Sequence, residues 1–208
     1  MSDEIVALDE GERTSDRSER TVMIKADSEA FTLTWSRYEA GQSGPGPHIH
    51  REHDDCFYVL DGELLFEAGP DLAPVRGGPG TFVLVPPLVV HTFRNESGAT
   101  AHFLNIHAPG CGFADYLRAL RDGRRKDAER FDSHDPPPDG GRPADEVVVG
   151  EPQQHVLPRA AGAGDELRDA WVLDGTLTLS GGREAGPGTW VPAGAVEGGS
   201  AQVLEIRG

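Results

Sequence analysis

Histidine and aspartate side chains are concentrated in residues 48 to 55, "HIHREHDD", directly before an apolar stretch. His48 and His50 are two positions apart, so they point to the same face of an extended strand. Asp55 follows in the same segment, and His91 lies in a separate one, "PPLVVHTFRN". Imidazole nitrogens and carboxylate oxygens bind divalent transition metals when three or four of them converge. If the fold brings the two segments together, these four residues can form a metal site.

The composition predicts the kind of fold that positions these residues. The chain has 27 glycines and 16 prolines among 208 residues, and so many turn-forming residues favour short strands over long helices. Residues 56–68, "CFYVLDGELLFEA", are typical of a β-hairpin, because an Asp-Gly pair lies between two apolar runs. We therefore predict an all-β fold with a short α-helical segment.

The pattern along the chain divides it into four regions. Residues 1–20 are polar and without period, which predicts a flexible N-terminus. Residues 21–111 contain the metal residues among predicted strands. Residues 112–146 begin with the one good helical segment, 112–130, and continue as a linker rich in Asp, Pro and Gly. Residues 147–208 form a second β module.

The second module repeats parts of the first. "YVLDGELLF" and "GPGTFVLVP" in the first module have counterparts in "WVLDGTLTL" and "GPGTWVP" in the second. Two such pairs in the same order indicate a duplication, whereas chance similarity of Asp-Gly hairpins would explain only one pair. At the offsets of the metal residues the second module has no histidine, but Ala161, Ala163, Arg168 and Glu197. We expect it to bind no metal and to serve packing, either to close a pocket or at an oligomer interface.

The spacings of both segments resemble the two motifs of the cupin superfamily, G(x)5HxH(x)3,4E(x)6G and G(x)5PxG(x)2H(x)3N. Eight residues of this chain fall on motif positions: His48, His50, Asp55 and Gly62 in the first motif, and Gly80, Pro86, His91 and Asn95 in the second. The resemblance covers about residues 21–110. It implies a cupin double-stranded β-helix, or jelly-roll barrel, followed by a degenerate partial cupin module, as in a bicupin.

Three residues depart from the motifs. Gly41 lies one position too far from the first histidine, Leu88 replaces the glycine two positions after Pro86, and Asp55 replaces glutamate. The first two departures affect loop shape. Aspartate is one methylene shorter than glutamate, so its carboxylate should fall about 1.5 Å short of a metal held by the histidines. We therefore expect the histidines to hold the ion and Asp55 to orient a coordinated water, unless the strand shifts to make it a direct ligand.

The resemblance to quercetinase-like bacterial cupins implies a dioxygenase that acts on a small aromatic or enol-type substrate. Its cofactor would be one divalent transition metal, for which Fe, Mn, Ni, Cu and Zn are all admissible. The metal would lower the pKa of a bound substrate oxygen, and Asp55 would act as the catalytic base. The alternative is a non-oxygenase cupin that uses the same site, either an isomerase or a small-molecule binding or sensor module.

Side chains that alternate with the metal residues are candidate pocket walls. Phe57 and Val59 should share the inward face of Asp55, and Phe93 should share that of His91. Packing in an ordinary core would explain these three residues equally well.

The remaining histidines have less specific interpretations. His53 is at odd spacing from His50 and should face solvent, as should His134 in the linker. His102 and His107 lie after the second motif, where they could line the barrel mouth or be ordinary surface or core residues.

The charge and the N-terminal sequence exclude several classes of protein. The formal net charge is −16, and such a surface repels nucleic acids. The chain shows neither a signal sequence nor an apolar run long enough to span a membrane, so we expect a cytoplasmic protein whose partner is a small molecule. Cys56 and Cys111 are expected to be apolar fillers and not a disulfide pair. The sequence leaves a homodimer open.

Overall fold

The computed structural model describes residues 4–124 and 128–208 and is built mainly of β-strands. Sixteen strands and one α-helix lie in the described residues. In chain order they are β1 (Glu12–Arg17), β2 (Arg20–Asp27), β3 (Thr32–Tyr38), β4 (Asp54–Asp61), β5 (Leu64–Ala68), β6 (Ala73–Gly77), β7 (Phe82–Val85), β8 (His91–Arg94), β9 (Ala101–Ala108), α1 (Phe113–Arg121), β10 (Val148–Gly150), β11 (Val156–Gly162), β12 (Glu166–Leu167), β13 (Ala170–Leu179), β14 (Arg183–Ala185), β15 (Trp190–Val191) and β16 (Gly194–Ile206). The prediction of an all-β fold with a short helix is confirmed.

The chain divides into two compact units. The larger unit is Arg13–Glu151, and the smaller unit combines Pro152–Gly208 with the described residues before position 13. No helix in the described part of the chain has both the length and the apolar character needed to cross a bilayer.

The larger unit contains two antiparallel sheets. One has seven strands in the order β1-β2-β3-β9-β4-β7-β10, and the other has three in the order β6-β5-β8. Apolar side chains from both sheets, such as Phe57 and Phe103 from the first and Phe66 and Phe93 from the second, meet in one buried cluster. This two-sheet arrangement around a shared core is the predicted jelly-roll barrel.

The smaller unit has a separate core built on one antiparallel sheet. Its strands follow the order β11-β16-β13-β14, with β12 paired to β16 and β15 paired to β13. N-terminal residues belong to this unit, because Val6 and Trp190 exchange two backbone hydrogen bonds of 3.0 and 2.8 Å and Ile5 packs against the apolar cluster.

The hairpin glycines of the two units have the same surroundings. Gly62 and Gly175 have φ angles of 75° and 83°, in the left-handed region that favours glycine. A Cβ at Gly62 would lie 2.8 Å from the Cα of Ala101, and a Cβ at Gly175 would lie 2.8 Å from the Cα of Ala201. In each case it would also overlap the preceding carbonyl oxygen. Only glycine therefore fits at either position.

The backbone around the two hairpins matches in further detail. The ladder of β4 with β9 shifts register between Val59 and Asp61, and that of β13 with β16 shifts between Val172 and Asp174. Val59 donates its N–H to Thr81 at 3.0 Å, and Val172 donates its N–H to a threonine at 2.9 Å. The sequence repeats that predicted a duplication thus have the same local structure.

Two predicted irregular regions are ordered in the structure, contrary to our expectation. Residues 1–20 were predicted to be flexible, but β1 forms the edge of the seven-stranded sheet, and the Thr14 hydroxyl donates a hydrogen bond of 3.3 Å to the carbonyl of Val22. An edge strand is held by backbone hydrogen bonds, which polar residues form without any apolar period. Met1, Ser2 and Asp3 lie outside the described residues.

The predicted linker is also part of the larger unit. His134 forms backbone hydrogen bonds of 3.0 Å in both directions with Ile49, and single helical turns lie at Ala128–Phe131 and Ala144–Glu146. Further on, β10 pairs with β7, so the unit ends at Glu151 and not at residue 111. The α-helix is shorter than the predicted 112–130, because it ends at Arg121, and residues 125–127 lie outside the described part.

Leu88, which replaces a motif glycine, has the backbone conformation of a glycine. Its φ is 70°, and its N–H donates a hydrogen bond of 2.7 Å to the carbonyl of His50, so the loop cannot relax freely. A left-handed conformation costs a residue with a side chain about 1 to 2 kcal/mol. The departure at this position therefore places a leucine in a conformation that suits glycine, at a cost in backbone strain.

We predict that Leu88→Gly stabilises the protein. Glycine removes the cost of the left-handed conformation but loses more chain entropy on folding. The first effect should be larger, so we expect the free energy of unfolding to increase by about 0.5 to 1 kcal/mol. Urea denaturation would measure it. Leu88→Ala is the control, because alanine removes the half-exposed side chain but keeps the conformational cost. Equal stability of the two variants would contradict the prediction.

Candidate metal centre

The two motif segments meet through a backbone bridge. His48 precedes β4 and His91 begins β8, and the two residues exchange N–H to carbonyl hydrogen bonds of 3.1 and 3.0 Å. This antiparallel pairing places their imidazole rings with centroids 4.3 Å apart. The expected meeting of the two segments is therefore found.

His50 and Asp55 complete the cluster. Asp55 lies in β4 of the seven-stranded sheet, and His50 lies in the segment before that strand. The Oδ2 atom of Asp55 lies 3.1 Å from His91 Nε2 and 3.7 Å from His50 Nε2. One ligand atom from each of His48, His50, Asp55 and His91 lies within 4.8 Å of all the others. Asp55, His50 and His91 are buried, whereas His48 is partly exposed.

Main-chain carbonyls determine which nitrogen of each histidine is available. The Nδ1 atom of His48 lies 3.0 Å from Gly46 O, that of His50 lies 2.6 Å from Asp132 O, and that of His91 lies 3.0 Å from Val89 O. A carbonyl only accepts hydrogen bonds, so each Nδ1 carries the hydrogen and each neutral ring presents its Nε2 lone pair. Carbonyl support of this kind is typical of metal-binding histidines.

The available atoms fit a metal ion. Three Nε2 lone pairs and one carboxylate oxygen converge, and His50 Nε2 is buried with no hydrogen-bond partner in the described residues. Two donors bound to one ion at 2.0 to 2.2 Å are roughly 3.0 to 3.5 Å apart, close to the two Asp55 distances. The cluster could therefore hold a divalent metal ion.

The pKa shifts are consistent with a site that needs positive charge. Burial lowers the pKa of His48 well below its usual range, and the charges of His91 and His50 add to this effect. Burial would also lower the pKa of His50, but its interactions with Asp55 outweigh burial and raise it. Of this pair, His50 is the one whose affinity for a proton is increased, and a proton on its Nε2 would compete with a metal.

Asp55 approaches the ligand histidines through one of its two oxygens. Its other oxygen, Oδ1, accepts a short hydrogen bond from Asn105 Nδ2, which turns Oδ2 toward the cluster. Burial would raise the pKa of Asp55, but the charge of His107 and the interactions with His50 and His91 hold it well below its usual range. The lowered pKa keeps the carboxylate ionised, and its Oδ2 faces the cluster, where it could bind a metal directly or orient a coordinated water.

A cavity of about 650 Å³ opens onto the cluster. His48, His50, Asp55 and Phe93 line it, so Phe93 stands where the sequence places a pocket wall. Phe57 and Val59 do not belong to the described lining residues, because they are 1% and 0% exposed and pack with Phe66 and Phe103 in the core. The alternative of packing in an ordinary core therefore describes these two residues, since alternation predicts the face of a residue but not its depth.

Four other histidines are placed differently from our expectation or were left undecided. His53, predicted to face solvent, is 0% exposed, and His107 is 1% exposed. The prediction from odd spacing failed for His53 because residues 51–53 form a bend and not an extended strand. His134 is also partly buried, since its backbone pairs with Ile49. His102 lies apart from the cluster and pairs with Asp61 at 3.6 Å.

Asn105 is a site residue that the sequence analysis missed. It lies in β9, where the register places it opposite Phe57 of β4 and Thr34 of β3. Its Nδ2 donates to both Asp55 and the carbonyl of Cys56. Asn105 is two positions before His107, so period-two alternation from that histidine was the one signal that could have found it.

Comparisons with known proteins agree with this structure. The family model described as a cupin domain matches residues 34–107. No curated protein matches the sequence. Among solved structures, pirin YhhW from Escherichia coli, in complex with nickel(II), has a TM-score of 0.60 at 12% identity and covers 98% of both chains. Protein Ylba from E. coli has a TM-score of 0.59 at 10% identity, with 97% of this chain and 89% of that chain covered. At these identities the likeness shows the fold.

We predict that His48→Ala and His91→Ala each abolish stoichiometric metal binding. Loss of either imidazole removes one of four donors that the fold holds in a fixed arrangement, so we expect the remaining three, which are not placed for a three-ligand site, to release the metal during gel filtration. Metal content per chain, measured by elemental analysis after loading, would test this. His102→Ala is the control, because that residue lies outside the cluster. Full metal content in either ligand variant would refute the assignment.

Asp55→Ala should lose metal as the histidine variants do, because the carboxylate lies at ligand distance from His50 and His91. We expect Asp55→Glu to bind metal more weakly than the wild type, since the longer side chain must displace the neighbours that hold Asp55. The same metal analysis would measure both variants. If Asp55→Ala keeps its metal but loses activity, the carboxylate orients a coordinated water, as expected from its length.

Proposed function

Since residues 34–107 form a domain of the cupin superfamily, we propose that this protein is a metal-dependent enzyme whose centre is formed by His48, His50, Asp55 and His91. One observation carries the proposal: three Nε2 lone pairs and an ionised carboxylate converge at the wall of a cavity. Nothing in a metal-free fold requires such a concentration of electron-pair donors.

The cofactor in this proposal is one divalent transition metal, which can be Fe, Mn, Ni, Cu or Zn. The three histidines and Asp55 would hold it, and it would act as a Lewis acid that lowers the pKa of a bound hydroxyl or enol. His48 is the only one of the four that is partly exposed, so a substrate would approach from its side.

The substrate we propose is a small aromatic or enol-type molecule. The cavity volume of about 650 Å³ is within the range of small-molecule sites. Aromatic rings form part of its wall, among them Phe93, Phe103, Phe113 and Tyr116. Flat apolar walls beside a metal centre suit a planar ring that presents one oxygen to the metal.

The reaction we propose is dioxygenation. A dioxygenase inserts both atoms of O₂ into an organic substrate that itself supplies the electrons, so no second reductant is required. The role of catalytic base, however, does not suit Asp55. Its lowered pKa makes it a weak base, and its two oxygens are engaged by Asn105 on one side and face His50 and His91 on the other. We assign it to metal binding.

A second function is supported by the polar part of the cavity. Thr34 and Ser36 line the wall on the β3 side, and their hydroxyls suit the hydroxyl groups of a substrate that is not oxidised. An isomerase or a binding module with the same metal centre would use this wall. The identity of the metal and the uptake of O₂ distinguish it from the dioxygenase.

Oxygen uptake is the test of the proposed reaction. Protein purified without a nickel affinity step should contain a redox-active metal and should consume O₂ with at least one member of a panel of flavonols, catechols and 1,3-dicarbonyls. His91→Ala serves as the control, because it should lack the metal. Zinc alone, with no O₂ uptake across the panel, would refute the dioxygenase and favour the isomerase or binding module.

We also propose that the smaller unit is a shortened second cupin module that binds no metal. Support comes from the matching hairpins at Gly62 and Gly175 and from the absence of histidine at the offsets of the metal residues. Its function would be to add a packed core to the protein. In this proposal the duplicated module kept the residues that its backbone requires and lost those required only by a metal.

Gly62→Ala and Gly175→Ala should each destabilise the protein by about 2 to 4 kcal/mol, because both combine a left-handed backbone with a steric overlap. Their effects on metal should differ. Gly175→Ala should keep full metal content at low temperature, whereas Gly62→Ala should lower the temperature at which metal is released. Calorimetry with metal analysis measures both, and Gly98→Ala, which has open space at its Cβ, is the control. Loss of metal in folded Gly175→Ala would contradict the proposal.

A further inference from the structure

Asp132 lies in the segment that the sequence predicts to be a linker, yet it is 7% exposed and contacts the region of the metal centre with both its main chain and its side chain. We propose that Asp132 is a positioning residue that holds two of the metal ligands, His50 directly and Asp55 through a chain of side chains. The inference rests on the proposed metal centre and extends it beyond the two motifs.

The first connection runs from the main chain of Asp132 to His50. The carbonyl of Asp132 lies 2.6 Å from His50 Nδ1, the shortest of the three carbonyl contacts that support the ligand histidines. This contact fixes both the rotation of the ring and the nitrogen that carries hydrogen. His50 and Asp132 are separated by 82 residues in sequence, so the ligand orientation depends on a long-range contact.

The side chain of Asp132 fixes the bend that follows His50. Its carboxylate accepts backbone N–H hydrogen bonds from Arg51 at 2.9 and 3.0 Å and from Glu52 at 2.8 Å. The same carboxylate lies 2.9 Å from His53 Nδ1 and 3.1 Å from His134 Nε2. One aspartate therefore binds the backbone on the C-terminal side of a ligand histidine, is hydrogen-bonded to His134 and lies beside the ring of His53.

The second connection runs from His53 to Asp55. His53 Nε2 and His107 Nδ1 are 2.7 Å apart and share a hydrogen. His107 Nε2 lies 3.0 Å from Asn105 Oδ1 and 3.5 Å from Asp55 Oδ1. Asn105 donates to that same oxygen. Each contact in this chain is buried, so rotation of one side chain would leave its neighbour without a partner.

The same residues could instead be considered as a second metal site, because His53, Cys111 and Asp132 have ligand atoms within 4.8 Å of one another. The hydrogen bonds of Asp132 argue against this. A carboxylate offers about four acceptor positions, and two backbone N–H groups and two histidines already surround this one. The cluster is therefore better explained as support for the metal centre.

The backbone of Asp132 is itself constrained. Its φ is 57°, a left-handed conformation that aspartate and asparagine tolerate better than most residues. Two residues later, the paired hydrogen bonds of His134 with Ile49 fix this part of the chain to the segment that carries His48 and His50. Asparagine can therefore replace Asp132 without added backbone strain, which makes Asp132→Asn the appropriate variant.

The experiment measures Co(II) binding by the full-length protein. Metal-free wild type and variants are titrated with Co(II) in competition with a chromophoric chelator, and the visible spectrum of the bound ion is recorded. We expect Asp132→Asn to weaken Co(II) binding by about 10- to 100-fold and to change the spectrum, because the ligand geometry changes. Asp135→Asn, an exposed aspartate of the same segment, is the matched control and should resemble the wild type.

His53→Gln interrupts only the connection to Asp55 and leaves the contacts of Asp132 with Arg51 and Glu52 intact. It should weaken Co(II) binding less than Asp132→Asn does. Adding Asp132→Asn to the His53→Gln variant should reduce the affinity for Co(II) by less than adding it to the wild type, because the two changes act on one chain of contacts. If Asp132→Asn fails to fold, His53→Gln alone decides, since an unchanged Co(II) spectrum in that variant overturns the inference.

The remaining outcomes separate this inference from the proposed function. Wild-type protein that binds no Co(II) would refute the metal centre and the inference with it. Wild-type protein that binds Co(II), with an unchanged affinity and spectrum in Asp132→Asn, would refute the inference alone. The inference is also refuted if Asp132→Asn binds Co(II) more weakly with an unchanged spectrum and the losses of affinity in the two single variants add up in the double variant. General destabilisation would then explain the weaker binding.

Discussion

Four electron-pair donors, three of them on buried side chains, face one another, and the rest of the site depends on this arrangement. Imidazole lone pairs and an ionised carboxylate repel when no hydrogen lies between them, and burial strengthens the repulsion because water cannot screen it. A cation converts the repulsion into binding. When no cation is bound, a proton on His50 partly reduces the repulsion. This explains why the pKa of His50 is raised although burial acts in the opposite direction. The fold therefore has to hold these donors together against their mutual repulsion.

The barrel provides that restraint mainly through the main chain. Strand β8 of the smaller sheet brings His91 to the bridge with His48, while β4 of the larger sheet brings Asp55. Carbonyl groups then fix each histidine ring through its Nδ1. Because these contacts use backbone atoms, they depend on strand register and loop shape rather than on the identity of neighbouring side chains. Leu88 illustrates this point, since the loop keeps a left-handed residue at that position even though the glycine that suits it is absent.

The sequence was sufficient to predict the four clustered residues from their spacing and the barrel from the resemblance to the cupin motifs. Side chains that are two residues apart on an extended segment lie on the same face, and an Asp-Gly pair between apolar runs indicates a hairpin. The same reasoning failed where the chain bends. His53 follows His50 by three positions, yet it is buried because the intervening residues turn, and the carboxylate that stabilises this turn comes from Asp132.

The burial depth of side chains and their long-range contacts also could not be predicted from the sequence. Phe57 and Phe93 both face inward, but only the structure shows that one lies in the core and the other at the cavity. The reach of Asp55 likewise depended on Asn105, which lies 50 residues away in sequence. A single sequence carries no signal for such pairs, since neither composition nor period relates the two positions.

The two hairpin glycines separate what the fold requires from what the metal requires. Gly62 and Gly175 occupy the same left-handed position against the same backbone atoms, and any side chain there would overlap a carbonyl. That constraint is steric and exists whether or not a metal binds nearby. The metal residues have no such steric role, because His48, His50 and His91 are held by carbonyls that would accept a hydrogen bond from other donors. A second module freed from metal binding would then keep its glycine and lose its histidines, and the offsets at Ala161, Ala163, Arg168 and Glu197 have this pattern.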